Sequence, residues 1–355
     1  MMTADNANRI VSVLEKTLTD LARDLREVNP WGEDVCRRLI AFSRGGKMLR
    51  GRLVVESYLL SGGDPGPGGE GEAARAAAAL ELIHAAFLIH DDIMDQDSSR
   101  RGAPALFAQY QQLGREQGLH APGHFGHSMG ICAGDVALFL AFRILSSLKT
   151  AADIHQRLLS LFTRETSRVA VAQMQDVYHG ARPDMVAEEE IFSLYLHKTA
   201  RYTFSLPLMA GSVLAGRPAE VTAALEKIGE TLGIIFQIKD DELGLFGSEA
   251  RIGKPAGSDV REGKKTLYHY ILWQRADAGQ KKMLSGVLGK QELAASELAA
   301  VRRLVDKLGV RKEVADRVES LAGETRKRIR SAASLPAPFR AMLLEFLDYN
   351  LGRGK

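Results

Sequence analysis

Residues 73–95, AARAAAALELIHAAFLIHDDIMD, decide the reading of the fold. Ala, Leu and Ile run through them without the alternation of a half-buried strand, so they predict one long, apolar helix. The run ends in three carboxylates, Asp91, Asp92 and Asp95. Carboxylates appended to an apolar helix are costly unless something positive binds there. Asp91 and Asp95 fall at i and i+4, with Cβ atoms roughly 5–6 Å apart on one face. That spacing suits a shared Mg²⁺, which takes one or two carboxylates and fills its other positions with water and phosphate oxygens. A second acidic pair, Asp240-Asp241, follows another apolar helical run at 228–238. Two such clusters facing each other would make a polynuclear metal site for a diphosphate.

The rest of the chain agrees with an all-α fold. The 355 residues are rich in Ala and Leu, and the helical period recurs in nearly every long segment. It predicts helices near 5–28, 33–43, 48–61, 73–97, 128–148, 152–179, 187–213, 218–241, 265–286, 291–307, 309–333 and 336–349. Three longer connections interrupt them. Residues 61–72 are Gly/Pro-rich and read as a flexible surface link. Residues 100–127 read as a long polar loop, and 246–264 as a Gly-, Lys- and Asp-rich loop. The last two leave the acidic clusters and are placed to act as lids. His120, His124 and His127 read as solvated loop residues. No composition break marks a second domain, so 1–355 reads as one.

Net charge is +3 with both signs mixed along the chain, which argues against a nucleic-acid footprint. The two cysteines, Cys36 and Cys132, read as small buried hydrophobes. The first residues lack a basic stretch followed by an apolar one, so no signal peptide is evident. No run reaches the ~18 uninterrupted apolar residues of a membrane span. A soluble cytoplasmic protein is expected.

Cations follow both acidic clusters. Gly45-Gly46-Lys47-Met48-Leu49-Arg50 opens a helix with two glycines and two cations, and a helix N-terminus with nearby cations makes a diphosphate seat. Arg100-Arg101-Gly102 follows the first cluster, and Gly253-Lys254-Pro255 and Gly263-Lys264-Lys265-Thr266 follow the second. Lys198-Thr199 sits inside a helix. His84 lies two turns before Asp91 on the same helix face.

In this order the chain carries GGKMLR, ELIHAAFLIHDDIMD with SSRRGAP, AGDVALFLAF, QMQD, HKTA, FQIKDDELG and GKPAGSDVREGKKT. It thereby resembles the trans-isoprenyl diphosphate synthases, the polyprenyl synthetase family, and within them most a geranylgeranyl diphosphate synthase. The resemblance implies a single large helical bundle around a central active-site cavity, usually in a homodimer. The implied reaction is head-to-tail 1′–4 condensation of isopentenyl diphosphate with an allylic diphosphate. It implies about three Mg²⁺ per active site with substrate bound, held by carboxylate and phosphate oxygens. Asp91, Asp92, Asp95 and Asp240, with Asp241 in support, are the implied metal residues, Asp91 and Asp95 the more direct. Arg100, Lys198 and Lys254, and less strongly Lys264, would hold the allylic diphosphate. Lys47, Arg50, His84 and Arg101 would hold isopentenyl diphosphate. Thr199 and Gln237 would line the allylic carbon region, where their dipoles steady a developing cation.

Some positions depart from the family pattern. Met48 stands where Arg is common, Gly51 where Pro is common, Gly244 where a third Asp is usual, and Ala172 where Gly is common. Residues 107–123 look like an insertion. Product length is read from the helix upstream of Asp91. Ala86 removes one half of a floor, Phe87 keeps the other, and Ile83 lies further along, so a C20 product is expected, with C15 and C25 or longer as alternatives. A class I terpene cyclase and a catalytically weak partner subunit are the rival readings. The cyclase needs no isopentenyl cations, and the subunit would be expected to lose carboxylates.

Overall fold

The computed structural model describes residues 4–247, 257–290 and 292–352. The architecture is all-α, with one two-residue antiparallel hairpin among the described residues. The chain divides into two compact units, 1–163 with 206–223, and 164–205 with 224–355. The boundaries at 163/164 and 223/224 fall inside long helices, so no linker marks them.

The first unit holds α1 (Ala4–Arg26), α2 (Trp31–Arg44), α3 (Leu49–Leu60), α4 (Pro67–Met94), the hairpin β1 (Ser99–Arg100) and β2 (Ala103–Pro104), α5 (Leu106–Glu116) and α6 (Pro122–Ser146). It also holds the start of α7 (Ala152–Ala181), all of α9 (Leu206–Leu214) and the start of α10 (Ala219–Phe246). α4 is its axis and packs against α1, α3, α6 and α9. Ala73, Ala74, the 76–79 alanines, Leu80, Leu82 and Ile83 are all buried, which explains a helix apolar all round.

Two connections are more regular than the sequence suggested. α4 begins at Pro67, inside the Gly/Pro-rich stretch, because Pro at the first helical position has its φ preset and no orphan N–H to satisfy. Residues 100–127 are not a loop. The hairpin turns through Arg101 and Gly102 at positive φ, α5 follows, and Pro122 starts α6. Buried Leu106, Phe107 and Tyr110 fasten α5, and the Tyr110 hydroxyl donates to Asp34 Oδ2 at 3.0 Å. His127 packs its ring on Phe107, with centroids 5.0 Å apart; His124 is exposed on α6. A mobile lid does not fit this stretch.

α4 (68–94) and α6 are long and apolar enough to cross a bilayer by length and composition, although no uninterrupted run signals it. α4 is mostly buried in the first unit. α6 is less covered, and its exposed face carries Ile131 and Phe139, the latter 74% exposed.

The second unit continues α7 and adds α8 (Glu188–Leu194), a π-helical stretch (Tyr195–Ser205) and the rest of α10. It ends with α11 (Ser258–Arg261), α12 (Leu267–Arg275), α13 (Ala278–Ser285), α14 (Ala295–Lys307), α15 (Val310–Ser331) and α16 (Ala337–Gly352). The expected helix 265–286 is two helices. Asp277 accepts from Gln280 N at 2.8 Å while Gln280 Oε1 accepts from Asp277 N at 2.9 Å, a capping box that starts α13.

The expected helix 187–213 is continuous but changes winding. Its π-helical centre packs on α10 along a stripe at i+4 spacing, Gly229, Gly233, Gln237 and Asp241. A Cβ on Gly233 would lie 2.3 Å from Ala200 Cα, and one on Gly229 2.6 Å from Ser205 Cα, so only glycine permits this approach. Buried Arg201 anchors the stretch. Its Nε and Nη2 donate to Glu165 at 2.7 and 3.0 Å, and it also pairs with Glu226 and Glu230.

Candidate active site

In the first unit, the end of α4 is fastened to α6. His90 Nε2 meets Ile131 O at 3.1 Å. This fixes the turn that carries Asp91, Asp92 and Asp95. Asp92 is fully buried, and Arg100 Nε donates to its Oδ1 at 2.6 Å. Arg100 lies 3.8 Å from Asp91. Burial opposes the Arg100 charge, but Asp92, Asp91 and Asp97 outweigh it and hold its pKa above the ordinary value. Asp92 is therefore committed to the protein. Asp91 and Asp95 remain half-buried, and the Asp95 N–H donates to Asp91 O at 2.8 Å, so one turn of helix separates their side chains. Two hard oxygen donors at that spacing fit Mg²⁺.

Beside them lies a small cavity lined by Phe42, Met48, Glu81, His84 and Arg101, among others. Arg101 is bent through a positive φ and lies against the Gly45-Gly46 turn. His84 is held neutral: burial pushes its pKa well below the ordinary value, and the charges of Arg50, Arg101 and Arg100 push the same way. The structure thus brings Arg50, His84 and Arg101 together. Lys47 is exposed on the turn before α3. Met48, at φ 48°, is buried and lines the cavity, so the departure at 48 puts a thioether where a cation is common. The expectation that the start of α3 offers open N–H groups to a diphosphate needs correction. The Gly51 N–H already donates to Glu81 Oε1 at 2.7 Å.

Ile83 and Ala86 are fully buried on α4, and Phe87 is half-buried one turn before Asp91.

In the second unit, a chain of hydrogen bonds joins the π-helical stretch to α10. Thr199 Oγ1 donates to Gln237 Oε1 at 2.7 Å, and Gln237 Nε2 donates to Asp241 Oδ1 at 2.7 Å. The Tyr195 hydroxyl donates to Asp241 Oδ2 and accepts from Leu267 N at 2.8 Å. Both Asp241 oxygens are thus engaged. Burial, then the Asp259 charge, raises its pKa well above the carboxylate range. Asp241 therefore orients Gln237 and Thr199, while Asp240 is exposed on α10. Lys198 pairs with Asp176 of α7. Lys264 pairs with Glu262 at 2.5 Å, and His269 Nδ1 meets Lys264 O at 2.6 Å. Lys254 lies outside the described residues.

Gly244 has a steric reason. A Cβ there would lie 2.5 Å from Asp259 Oδ2, so the Asp259 carboxylate stands where a third aspartate side chain would begin.

Three residues were missed from sequence, Glu81, Asp176 and Tyr195. A lone carboxylate inside an apolar helix was a usable signal for Glu81. Asp176 lay in the QMQD stretch with no partner in view. Tyr195 had no local signal, because its partners come from α10 and α12.

The polyprenyl synthetase family model matches residues 30–305. The geranylgeranyl diphosphate synthase of Saccharolobus solfataricus is 34% identical over 268 residues, 75% of this chain and 74% of that protein. A short chain isoprenyl diphosphate synthase of Methanothermobacter thermautotrophicus is 36% identical over 245 residues, 69% of this chain and 68% of that protein. The crystal structure of a Corynebacterium glutamicum geranylgeranyl pyrophosphate synthase complexed with isoprenyl diphosphate and magnesium has a TM-score of 0.90. It is 28% identical and covers 98% of both chains. The all-α architecture is the isoprenoid synthase fold, and the chain belongs to the polyprenyl synthetase family of prenyltransferases.

Proposed function

We propose that this short-chain prenyl diphosphate synthase condenses isopentenyl diphosphate with allylic diphosphates to give an all-trans C20 product, geranylgeranyl diphosphate. The observation that carries the reading is the grouping of the Arg50 and Arg101 charges about neutral His84, with His84 and Arg101 lining one cavity on the helix that bears Asp91. A class I terpene cyclase has no use for that second diphosphate seat. A partner subunit has no use for a complete first acidic motif.

In this reading Asp91 and Asp95, and separately Asp240, hold Mg²⁺, which when bound stabilises charge on the departing diphosphate. Arg100, Lys198, Lys254 and Lys264 add positive charge on the allylic side. Arg50, His84, Arg101 and exposed Lys47 receive isopentenyl diphosphate, with His84 as a neutral hydrogen-bonding group. The dipoles of Thr199 and Gln237, fixed by Asp241, steady the allylic cation. The released diphosphate takes the final proton. Fully buried Ile83 and Ala86, with Phe87 nearer Asp91, set the length of the tail. The Phe87→Ala variant is expected to shift the product beyond C20 by chromatography; an unchanged distribution removes Phe87 from the floor.

We further read the chain as one polyprenyl synthetase domain over 1–355 that works as a cytoplasmic homodimer without nucleic acid. Free thiols at Cys36 and Cys132 suit a reducing compartment. Exposed Ile131 and Phe139 on α6 suit burial against a second copy. Light scattering is expected to give a dimer, and Phe139→Arg a monomer.

A further inference from the structure

Glu81 is the one carboxylate between Glu72 and Asp91, and it is buried. An ionised group there is costly unless matched. Its Oε1 accepts the Gly51 N–H at 2.7 Å, and the Arg50 backbone N–H also bonds to the carboxylate. Burial raises its pKa, while the Arg50 and Arg101 charges and these two N–H groups work against the rise. The N–H groups belong to the first turn of α3, whose N-cap Met48 offers no side-chain acceptor. Glu81 therefore does from α4 what a capping side chain does locally.

Gly51 makes this link possible. A Cβ at 51 would lie 3.1 Å from Glu81 Cγ and from Ile10 Cδ1. Proline, common at this position in the family, has no N–H to give. The departure at 51 thus creates a hydrogen bond that a Pro-bearing chain could not make.

The geometry points to Glu81 as a positioning residue for isopentenyl diphosphate. It holds the first turn of α3, and with it Arg50, together with Arg101, in the arrangement that receives this substrate. Glu81 acts through the two N–H groups its carboxyl group binds, and not by touching the substrate. This role rests on reading Arg50, His84 and Arg101 as the isopentenyl side.

The test is steady-state kinetics of the full chain, varying each substrate in turn, with a melting curve for every variant. Glu81→Ala is expected to raise KM for isopentenyl diphosphate by about 10- to 100-fold, the effect of leaving buried N–H groups without their acceptor. KM for the allylic substrate and kcat should move by less than about threefold. Glu81→Gln keeps an acceptor and should recover most of the loss. Gly51→Pro, tolerated in a first helical turn, should raise the same KM in the native background but not in Glu81→Ala, since both remove one link. Arg101→Ala is the control. If it leaves KM for isopentenyl diphosphate unchanged, the site reading fails and takes the proposal with it. If it raises that KM while Glu81→Ala moves neither KM or both equally, the proposal alone is overturned. Additive effects of Gly51→Pro and Glu81→Ala overturn it as well.

Discussion

The two acidic motifs each commit one buried aspartate to the protein, by different means. Asp92 of the first motif is matched by a charge, Arg100. Asp241 of the second is matched by neutral donors, Tyr195 and Gln237, and burial pushes it toward its protonated form. The first pairing ties Arg100 to the turn that carries Asp91 and Asp95. The second relays order from α12 through Tyr195 and Asp241 to Gln237 and Thr199. Similar sequence signals, Asp-Asp after an apolar helix, thus do separate jobs.

Substitutions can break that contrast, and the largest effect is expected at the more accessible member. Asp91→Ala should lower kcat/KM by about 10³-fold or more, as loss of a metal ligand that stabilises leaving-group charge would. Its melting temperature should barely move. Asp92→Asn should behave in the opposite way. It leaves Arg100 beside a lost charge and should cost about 3–5 kcal/mol of stability, read by denaturant unfolding. Asp241→Asn should cost less, about 1–3 kcal/mol, because one of its two neutral donors loses an acceptor. Equal losses for Asp92→Asn and Asp241→Asn would erase the distinction between the motifs.

A further effect concerns pH. Burial pushes the His269 pKa down to about 4. The folded state therefore binds fewer protons than the unfolded state between the ordinary value, about 6.5, and 4. Stability contributed by neutral His269 is present above pH 6.5 and is lost as pH falls toward 4, to a total of about 3 kcal/mol. His269→Asn should flatten this part of the acid unfolding curve. A change as small as that of Asp241→Asn is expected at Gly244. Gly244→Asp restores the family residue, but its Cβ meets Asp259, so it should cost about 1–3 kcal/mol. Gly244→Asp combined with Asp259→Gly should recover most of that.

Much of this was legible in the chain. The apolar period located α4 and α10 with their aspartates, and three of the residues grouped from sequence, Arg50, His84 and Arg101, do lie together. The failures share a cause. α5 was masked by Gly114, Gly118 and polar composition, although Leu106, Phe107 and Tyr110 supply an inward face. The π-helical winding from Tyr195 depends on Gly229 and Gly233 of another helix and on three glutamates gathered by Arg201. The use of the Gly51 N–H by Glu81 joins residues 30 positions apart. Local pattern reports periodicity; it does not report which buried polar group answers another.

The most direct test mixes purified protein with Mg²⁺, an allylic diphosphate and labelled isopentenyl diphosphate, then separates products by chain length. Label is expected in a prenyl diphosphate of C20, and is lost when Mg²⁺ is chelated. A hydrocarbon formed without consuming isopentenyl diphosphate, or no product from the protein alone, would contradict it.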